Sequence, residues 1–366
     1  MRAAVLEGYG QPLVLADDVE IERPHAGEVQ IRVQHCGVCH SDLSVVEGAL
    51  PAPVPTVLGH EAAGVVEAVG DGVTTLAPGD RVVLTPCPPC GQCYYCQRGE
   101  FSICVNSWGL MTSTLPDGGT RLSRGGRQLF RGLAIGAFGE LATVQEAGAI
   151  KVADSVPLDV ACVIGCAVQT GVGAVINTAR VEPGATVLVT GLGGVGLSIV
   201  QGAVVAGASR IVVSDPVPER REAALKFGAT DAIDPAAADV TTSVKELTGG
   251  IGADYAFEAA GRAELIDVGL QATRSGGTTV VVGVPPLGES LTLTPIAMFQ
   301  TLEKKLVGSL LGSVNARRDI PLLIALWQAG RLDLDGLVTD RRPLDEVNAA
   351  MDDLRAARGI RTVLNL

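Results

Sequence analysis

Aromatic residues make up only 3% of this 366-residue chain, so its cores must be packed from valine, leucine, isoleucine and alanine. Positive charge is also scarce. Lysine and arginine total 28 against 40 aspartates and glutamates, and no basic stripe with interleaved aromatics occurs, which argues against nucleic acid as a partner. A long uncharged stretch, Pro183 to Ser209, has the length of a membrane span. Five glycines between Gly184 and Gly196 break it into a β-branched run and a small-residue helical pattern, so a buried strand, turn and helix is expected there and no membrane contact. Nothing near Met1 resembles a signal peptide, since Met1–Leu6 runs straight into Glu7, and a cytoplasmic setting is expected.

Cysteine, by contrast, is concentrated. Cys87, Cys90, Cys93, Cys96 and Cys104 fall in one short segment, with turn-forming residues between the first four. Steps of three residues let thiolates converge on one point, and Cys104 can close a tetrahedral zinc site; spacing alone lets any four of the five serve. An iron–sulfur cluster would favour a shorter final gap and a following proline, whereas seven residues separate Cys96 from Cys104 and Val105 follows. Disulfides need an oxidising compartment. Four thiolates leave zinc no open position, so this site is structural and the chemistry lies elsewhere.

The length predicts about two domains. The first 150 residues read as short strands, at Glu28–Val33, Gly64–Val69 and Arg81–Leu84, with Pro78-Gly79-Asp80 as punctuation. From about Ala167 the pattern alternates, with strands at Thr186–Val189, Ile211–Ser214, Ala253–Phe257 and Thr278–Val282 and helices at Pro218–Phe227 and Ala263–Ala272. Such alternation implies an α/β unit with a parallel sheet covered on both faces. Helices at Ile320–Ala329 and Leu344–Ala357 and a strand at Arg361–Leu364 complete the chain.

Gly191-Leu192-Gly193-Gly194-Val195-Gly196 matches G-x-G-x-x-G. It follows the Thr186–Thr190 strand and opens a helix at Leu197, the context in which backbone N–H groups meet a pyrophosphate. Asp215 ends the next strand, where an acidic residue binds a ribose diol, so NAD(H) is expected over NADP(H), with Arg220 a turn further on.

Two further segments carry ligand chemistry, Gly37-Val38-Cys39-His40-Ser41-Asp42 and Gly59-His60-Glu61, together with Gly165-Cys166. Cys39, His60 and Cys166 are donor types that suit zinc with a fourth position open, although spacing does not pair them. With Thr170-Gly171, the glycine loop and Asp215, Val282-Gly283-Val284-Pro285-Pro286 and Ile360-Arg361-Thr362-Val363 in order, the chain resembles the zinc-dependent medium-chain alcohol dehydrogenases over nearly its whole length.

The resemblance implies a GroES-like β-rich catalytic domain over residues 1–167, a Rossmann coenzyme domain over 168–310 and a return segment over 311–366. It implies two zincs per chain: a structural one on Cys90, Cys93, Cys96 and Cys104, and a catalytic one on Cys39, His60 and Cys166, with Glu61 behind it as an exchange ligand. Cys87, Cys36 and Cys162 are left as buried apolar residues. Ser41 stands where the family relays the alcohol proton, and Asp42 orients His60. His40, Thr170, Val282 and Arg361 match cofactor contacts, His40 and Arg361 as phosphate partners. Ser44 replaces a histidine that ends the relay in some members, so proton exit through water is expected.

The expected reaction is oxidation of a primary or aromatic alcohol to its aldehyde, and the reverse, with an apolar pocket including Leu50, Trp108 and Leu133. A thiol-adduct formaldehyde dehydrogenase is the rival within the family, but Gly48–Pro55 carries no charge and Trp108 stands where that subgroup has an arginine. A non-catalytic NAD-binding zinc protein would have lost Ser41 or an inner ligand. The segment from Gly109 to Phe138, kept by dimeric members, points to a homodimer.

Overall fold

The computed structural model describes residues 1–293 and 295–366. The chain forms two compact units, Met1–Ala167 with Asn315–Leu326 and Leu334–Leu366, and Val168–Val314 with Trp327–Asp333. The return to the first unit thus falls at Asn315, not at residue 311. Trp327–Asp333 belongs to the second unit because Gln201 clamps it: Gln201 Nε2 donates to the Asp333 carbonyl at 3.1 Å, and the Asp333 N–H donates to Gln201 Oε1 at 2.6 Å.

The first unit is built on the strand Glu28–Gly37, which runs four residues beyond the expected end at Val33. Its register against Glu61–Val69 slips twice, between Gln30 and Ile31 and between Val33 and His35, and such slips bend a strand. One half therefore pairs with Leu141–Gln145 and the other with Arg361–Asn365. The bend also places Gly37 opposite Glu61, where a Cβ would stand 2.3 Å from Glu61 Oε2; glycine leaves room for that carboxylate. A second, six-stranded sheet contains Ala3–Leu6, Thr56–Val57 and Arg127–Arg131. The core is aliphatic, as composition requires, with Phe138 its large fully buried aromatic.

In the second unit six parallel strands run in the order Asp231–Ile233, Arg210–Ser214, Thr186–Thr190, Ala253–Glu258, Thr273–Val281 and Lys305–Gly308. Numbered along the chain this is 3-2-1-4-5-6, the Rossmann order with its switch point beside the first strand. The uncharged stretch becomes the strand Thr186–Thr190 and the helix Gly194–Ala206. Among the described residues no single helix is long and apolar enough to cross a membrane.

Small residues set the helix packing here. At Gly171 a Cβ would lie 2.5 Å from both Ser198 Cβ and the Val195 carbonyl, so the Ala167–Gly173 helix rests directly on the helix that follows the glycine loop. Gly171→Ala is expected to cost about 1–3 kcal/mol by overpacking, lowering Tm by roughly 2–4 °C for each kcal/mol. Thermal unfolding of the zinc-loaded protein measures this, and an unchanged Tm would mean that the helices separate freely.

Candidate active site and metal centres

The four thiols Cys90, Cys93, Cys96 and Cys104 lie with their sulfurs within 4.8 Å of one another. Cys93 Sγ and Cys104 Sγ are 3.8 Å apart, far beyond a disulfide but matching the separation of about 3.8 Å that tetrahedral Zn–S bonds of about 2.3 Å produce. Backbone N–H groups point at these sulfurs: Cys90 N–H to Cys104 at 3.3 Å, Cys93 N–H to Cys90 at 3.3 Å, Cys96 N–H to Cys93 at 3.5 Å and Asn106 N–H to Cys104 at 3.4 Å. Donors aimed at sulfur stabilise thiolate, so the lobe fits a closed zinc site. Cys87 lies outside the cluster, buried, with its thiol pushed up to about 12 by burial.

The second cluster joins Cys39, His60, Glu61 and Cys166, all buried, with one donor atom of each within 4.8 Å of the others. Cys39 caps the helix His40–Val46, and His60 and Glu61 come from the start of the long paired strand. Asp42, fully buried, holds them together. Its Oδ2 accepts the Cys39 N–H at 3.2 Å, and its Oδ1 accepts the Gly59 N–H at 3.0 Å and lies 3.1 Å from His60 Nδ1. With the Nδ1 proton donated to that carboxylate, Nε2 is left as the ligand atom. Ser41 Oγ lies 3.9 Å from Cys39 Sγ, and Ser44 follows one turn later on the same helix.

Electrostatics show what this cluster lacks. Cys39 is held well below the ordinary thiol range by a hydrogen bond from Cys166, against burial, with Arg361 and His60 helping. The same hydrogen bond and burial raise Cys166. Burial opposes charge on His60, yet Asp42 and Cys39 outweigh it and raise its pKa. Burial pushes Glu61 up to about 7 despite Arg361. Two thiols and a carboxylate buried this close together resist negative charge unless a cation joins them, and the donor set fits zinc.

Glu61 is more constrained than a spare ligand would be. Its Oε1 accepts the Ala167 N–H at 3.1 Å, and its Oε2, without a hydrogen bond, lies 3.4 Å from Arg361 Nε. Arg361 itself is 5% exposed and donates through Nη1 to the Val38 carbonyl at 2.8 Å. Arg361 thus stands as a counter-ion to Glu61 and the thiols. His40 is exposed at the first position of its helix. A third group of ligand-type residues, His25, Glu28 and Asp117, already contains its cation, because Arg121 binds Glu28 at 2.7 and 3.0 Å and Asp117 at 2.5 Å.

The glycine loop shows a different division of labour at each position. Gly191 has φ +86° and lies so close to Ala260 that a Cβ would meet it at 2.8 Å, while a Cβ at Gly196 would stand 1.9 Å from the Gly191 carbonyl. At Gly193, the residue capping the Gly194–Ala206 helix, a Cβ would meet nothing within 4 Å. That open cradle over free first-turn N–H groups, including that of Val195, fits a pyrophosphate. Asp215 is buried, its Oδ2 accepting the Leu192 N–H at 2.7 Å and its Oδ1 the Val217 N–H at 2.9 Å, which ties the loop to the strand end. Each oxygen keeps a lone pair for a ribose hydroxyl. Arg220 is half-buried with Nε unpartnered, Thr170 Oγ1 is buried and unpartnered, and the Val282 N–H donates to the Glu258 carbonyl at 2.9 Å.

Sequence reasoning missed Glu258. Its Oε1 accepts the N–H groups of Ala260 and Gly261 at 2.8 and 2.7 Å, shaping the turn packed against Gly191. An acid ending an apolar strand just before a glycine was the available signal. Of the residues expected in an apolar pocket, Leu50 and Leu133 pack on the first unit's core and Trp108 is 65% exposed. Trp108 ends a short helical turn and caps the next, which leaves its ring at the surface.

The lobe makes its own prediction. Hydrogen bonds from the Cys96 and Val105 backbone lower Cys93 to about 6, whereas burial raises Cys104 to about 12. After chelation at pH 7, iodoacetamide should label Cys93 first and Cys104 late, as mass spectrometry of peptides reads directly, and equal labelling would contradict this.

Comparison with known proteins completes the picture. Residues 25–154 match the alcohol dehydrogenase GroES-like domain and residues 194–329 the zinc-binding dehydrogenase domain. An alcohol dehydrogenase zinc-binding domain protein from Burkholderia ambifaria is 38% identical, with TM-score 0.93, over 100% of this chain and 98% of that one. Benzyl alcohol dehydrogenase from Acinetobacter calcoaceticus is 33% identical, with TM-score 0.93, over 100% and 99%. A zinc-binding dehydrogenase from Sinorhizobium meliloti 1021, bound to NADP, is 26% identical, with TM-score 0.81, over 100% and 99%. The chain therefore belongs to the zinc-dependent medium-chain alcohol dehydrogenase family, a family of oxidoreductases.

Proposed function

We propose that the protein oxidises a primary or aromatic alcohol to its aldehyde, and catalyses the reverse, with NAD(H) as hydride acceptor and donor. The observation that carries this reading is the convergence of Cys39, His60, Glu61 and Cys166 beside Ser41, in a chain that also presents the Gly193 cradle. Cys39, His60 and Cys166 would hold the zinc, which would supply Lewis acidity toward an alcohol oxygen. Ser41 accepts the hydroxyl proton through an oxygen that can donate and accept at once. Asp42 keeps the His60 ring oriented, and Arg361 with Glu61 balances the buried charge. The loop from Gly191 to Gly196 anchors the dinucleotide so that the carbinol hydride has an acceptor, and the alcohol loses one hydride and one proton in all.

Asp215 supports NAD over NADP, because a 2′-phosphate would meet a buried carboxylate. The uncharged Gly48–Pro55 segment and the 33%-identical benzyl alcohol dehydrogenase support an apolar alcohol over a thiol adduct. The nine free cysteines fit a reducing compartment, and we place the enzyme in the cytoplasm. The test is NADH formation at 340 nm with benzyl alcohol, hexanol, ethanol and an S-hydroxymethyl thiol adduct, alongside zinc analysis. About two zincs per chain and preference for benzyl alcohol or hexanol are expected; preference for the adduct or for NADP would overturn the assignment. Gly193→Ala should leave Tm unchanged and raise the Kd for NADH on the order of tenfold, since its methyl would occupy the phosphate approach.

The homodimer is proposed on the edge strand Lys305–Gly308, whose outer side pairs with no strand among the described residues, in a stretch of chain with exposed Ile296, Met298, Val307 and Leu310. Val307→Arg should convert a dimer to monomer in light scattering after gel filtration. A wild-type monomer would sink the proposal.

A further inference from the structure

In the first unit Arg131 is a buried cation that neither the zinc chemistry nor, among the described residues, an ion pair uses. Arg131 ends the Arg127–Arg131 strand and is 3% exposed. Its Nη2 donates to the Ala134 carbonyl at 2.5 Å, while its Nε is buried without any hydrogen-bond partner. Among the described residues it forms no ion pair. The nearest acids, Glu28 and Asp117, are both taken by Arg121. Burial draws its pKa down to about 10, which still leaves the guanidinium charged at neutral pH.

Arg131 lines a cavity of about 20 Å³ together with Thr85, Asn106, Thr114 and Gln145. The backbone there is strained: Leu133 and Ala134 have φ of 52° and 69°, left-handed values that non-glycine residues avoid. The Ala134 carbonyl of that turn accepts from the guanidinium, whose Nε stays buried and unpartnered. Ser113, whose carbonyl accepts the Arg131 N–H at 3.0 Å, keeps a buried Oγ with no partner. A cavity beside an uncompensated charge is where an ion belongs, because a buried charge is tolerated only when it is paired.

We propose that this cavity binds one small monovalent anion, of the size of chloride or bromide, on the guanidinium of Arg131. A volume of about 20 Å³ has room for a body about the size of a water molecule. Asn106 and Gln145, which also line it, carry side-chain amides of a type that can donate to an anion. Thr85 lies just before the thiol lobe and Asn106 just after its last cysteine, so the ion would tie both ends of the lobe to the strand bearing Arg131. It would act as a structural counter-ion rather than in turnover.

The test uses zinc-loaded full-length protein, with thermal unfolding followed against sodium bromide and sodium chloride at ionic strength held constant with gluconate. A saturable rise in Tm of about 3 °C is expected, absent in Arg131→Met and partly kept in Arg131→Lys. A bromide-soaked crystal of the wild type should show an anomalous peak in the cavity, which decides the matter even if the variants fail to fold. Equal Tm in halide and gluconate, or density for water alone in the cavity, would overturn the proposal.

Discussion

Asp42 has no exposure to solvent, and its carboxylate serves three points of the first unit at once: the N–H of Cys39, the N–H of Gly59 and Nδ1 of His60. A buried carboxylate is tolerated only when its oxygens are fully engaged, so the fold must bring the start of the His40–Val46 helix against the turn before Glu61. The same requirement presents His60 Nε2 toward Cys39 and Cys166. Glu61 extends the chain of dependence through Ala167 and Arg361, which belong to a distant helix and to the last strand. Four separate segments are thus held in register by two carboxylates. The metal cluster is the place where those constraints meet.

The second unit uses carboxylates in a related way. Asp215 and Glu258 each end a strand of the parallel sheet, and each accepts backbone N–H groups from a turn beside the glycine loop. Asp215 fixes the loop from the side of Leu192, and Glu258 fixes the turn that packs on Gly191. The loop is therefore preorganised before any dinucleotide arrives, which lowers the ordering cost of binding. A carboxylate read from sequence as a ribose ligand is in this structure also a loop clamp.

What was legible in the sequence was local. The three-residue steps of Cys90, Cys93 and Cys96 and the strand–loop–helix context of Gly191–Gly196 lie within short windows, where geometry follows directly from spacing. The Rossmann alternation was equally plain, and Arg81–Leu84 and Ala263–Ala272 fall where expected. Pairings across the sheet were not. Arg361 lies 300 residues from Glu61, and only the antiparallel register of Arg361–Asn365 on Glu28–Gly37 brings them together. The grouping of Cys39 and His60 with Cys166 came from family resemblance because no spacing rule joins them. The exposure of Trp108 was not legible either, because a motif position says nothing about which way a side chain leaves two successive helical turns.

Arg121 and Arg131 show how one stretch of chain can meet the same problem in two ways. Both guanidiniums are buried, ten residues apart, in the Leu122–Arg131 hairpin or at its entry. Arg121 is matched by Glu28 and Asp117 with short, nearly bidentate contacts, a fixed arrangement that needs nothing from solution. Those two acids are then spent. With a net charge of −12 the chain has carboxylates in excess, yet none is placed on Arg131, and a cavity stands there instead. Composition therefore does not explain the missing partner; the left-handed turn at Leu133 and Ala134 brings a backbone carbonyl, not an acid, to the guanidinium. A charge left open in this manner is compensated from solution, which makes the packing beside the thiol lobe depend on the surrounding salt as well as on zinc.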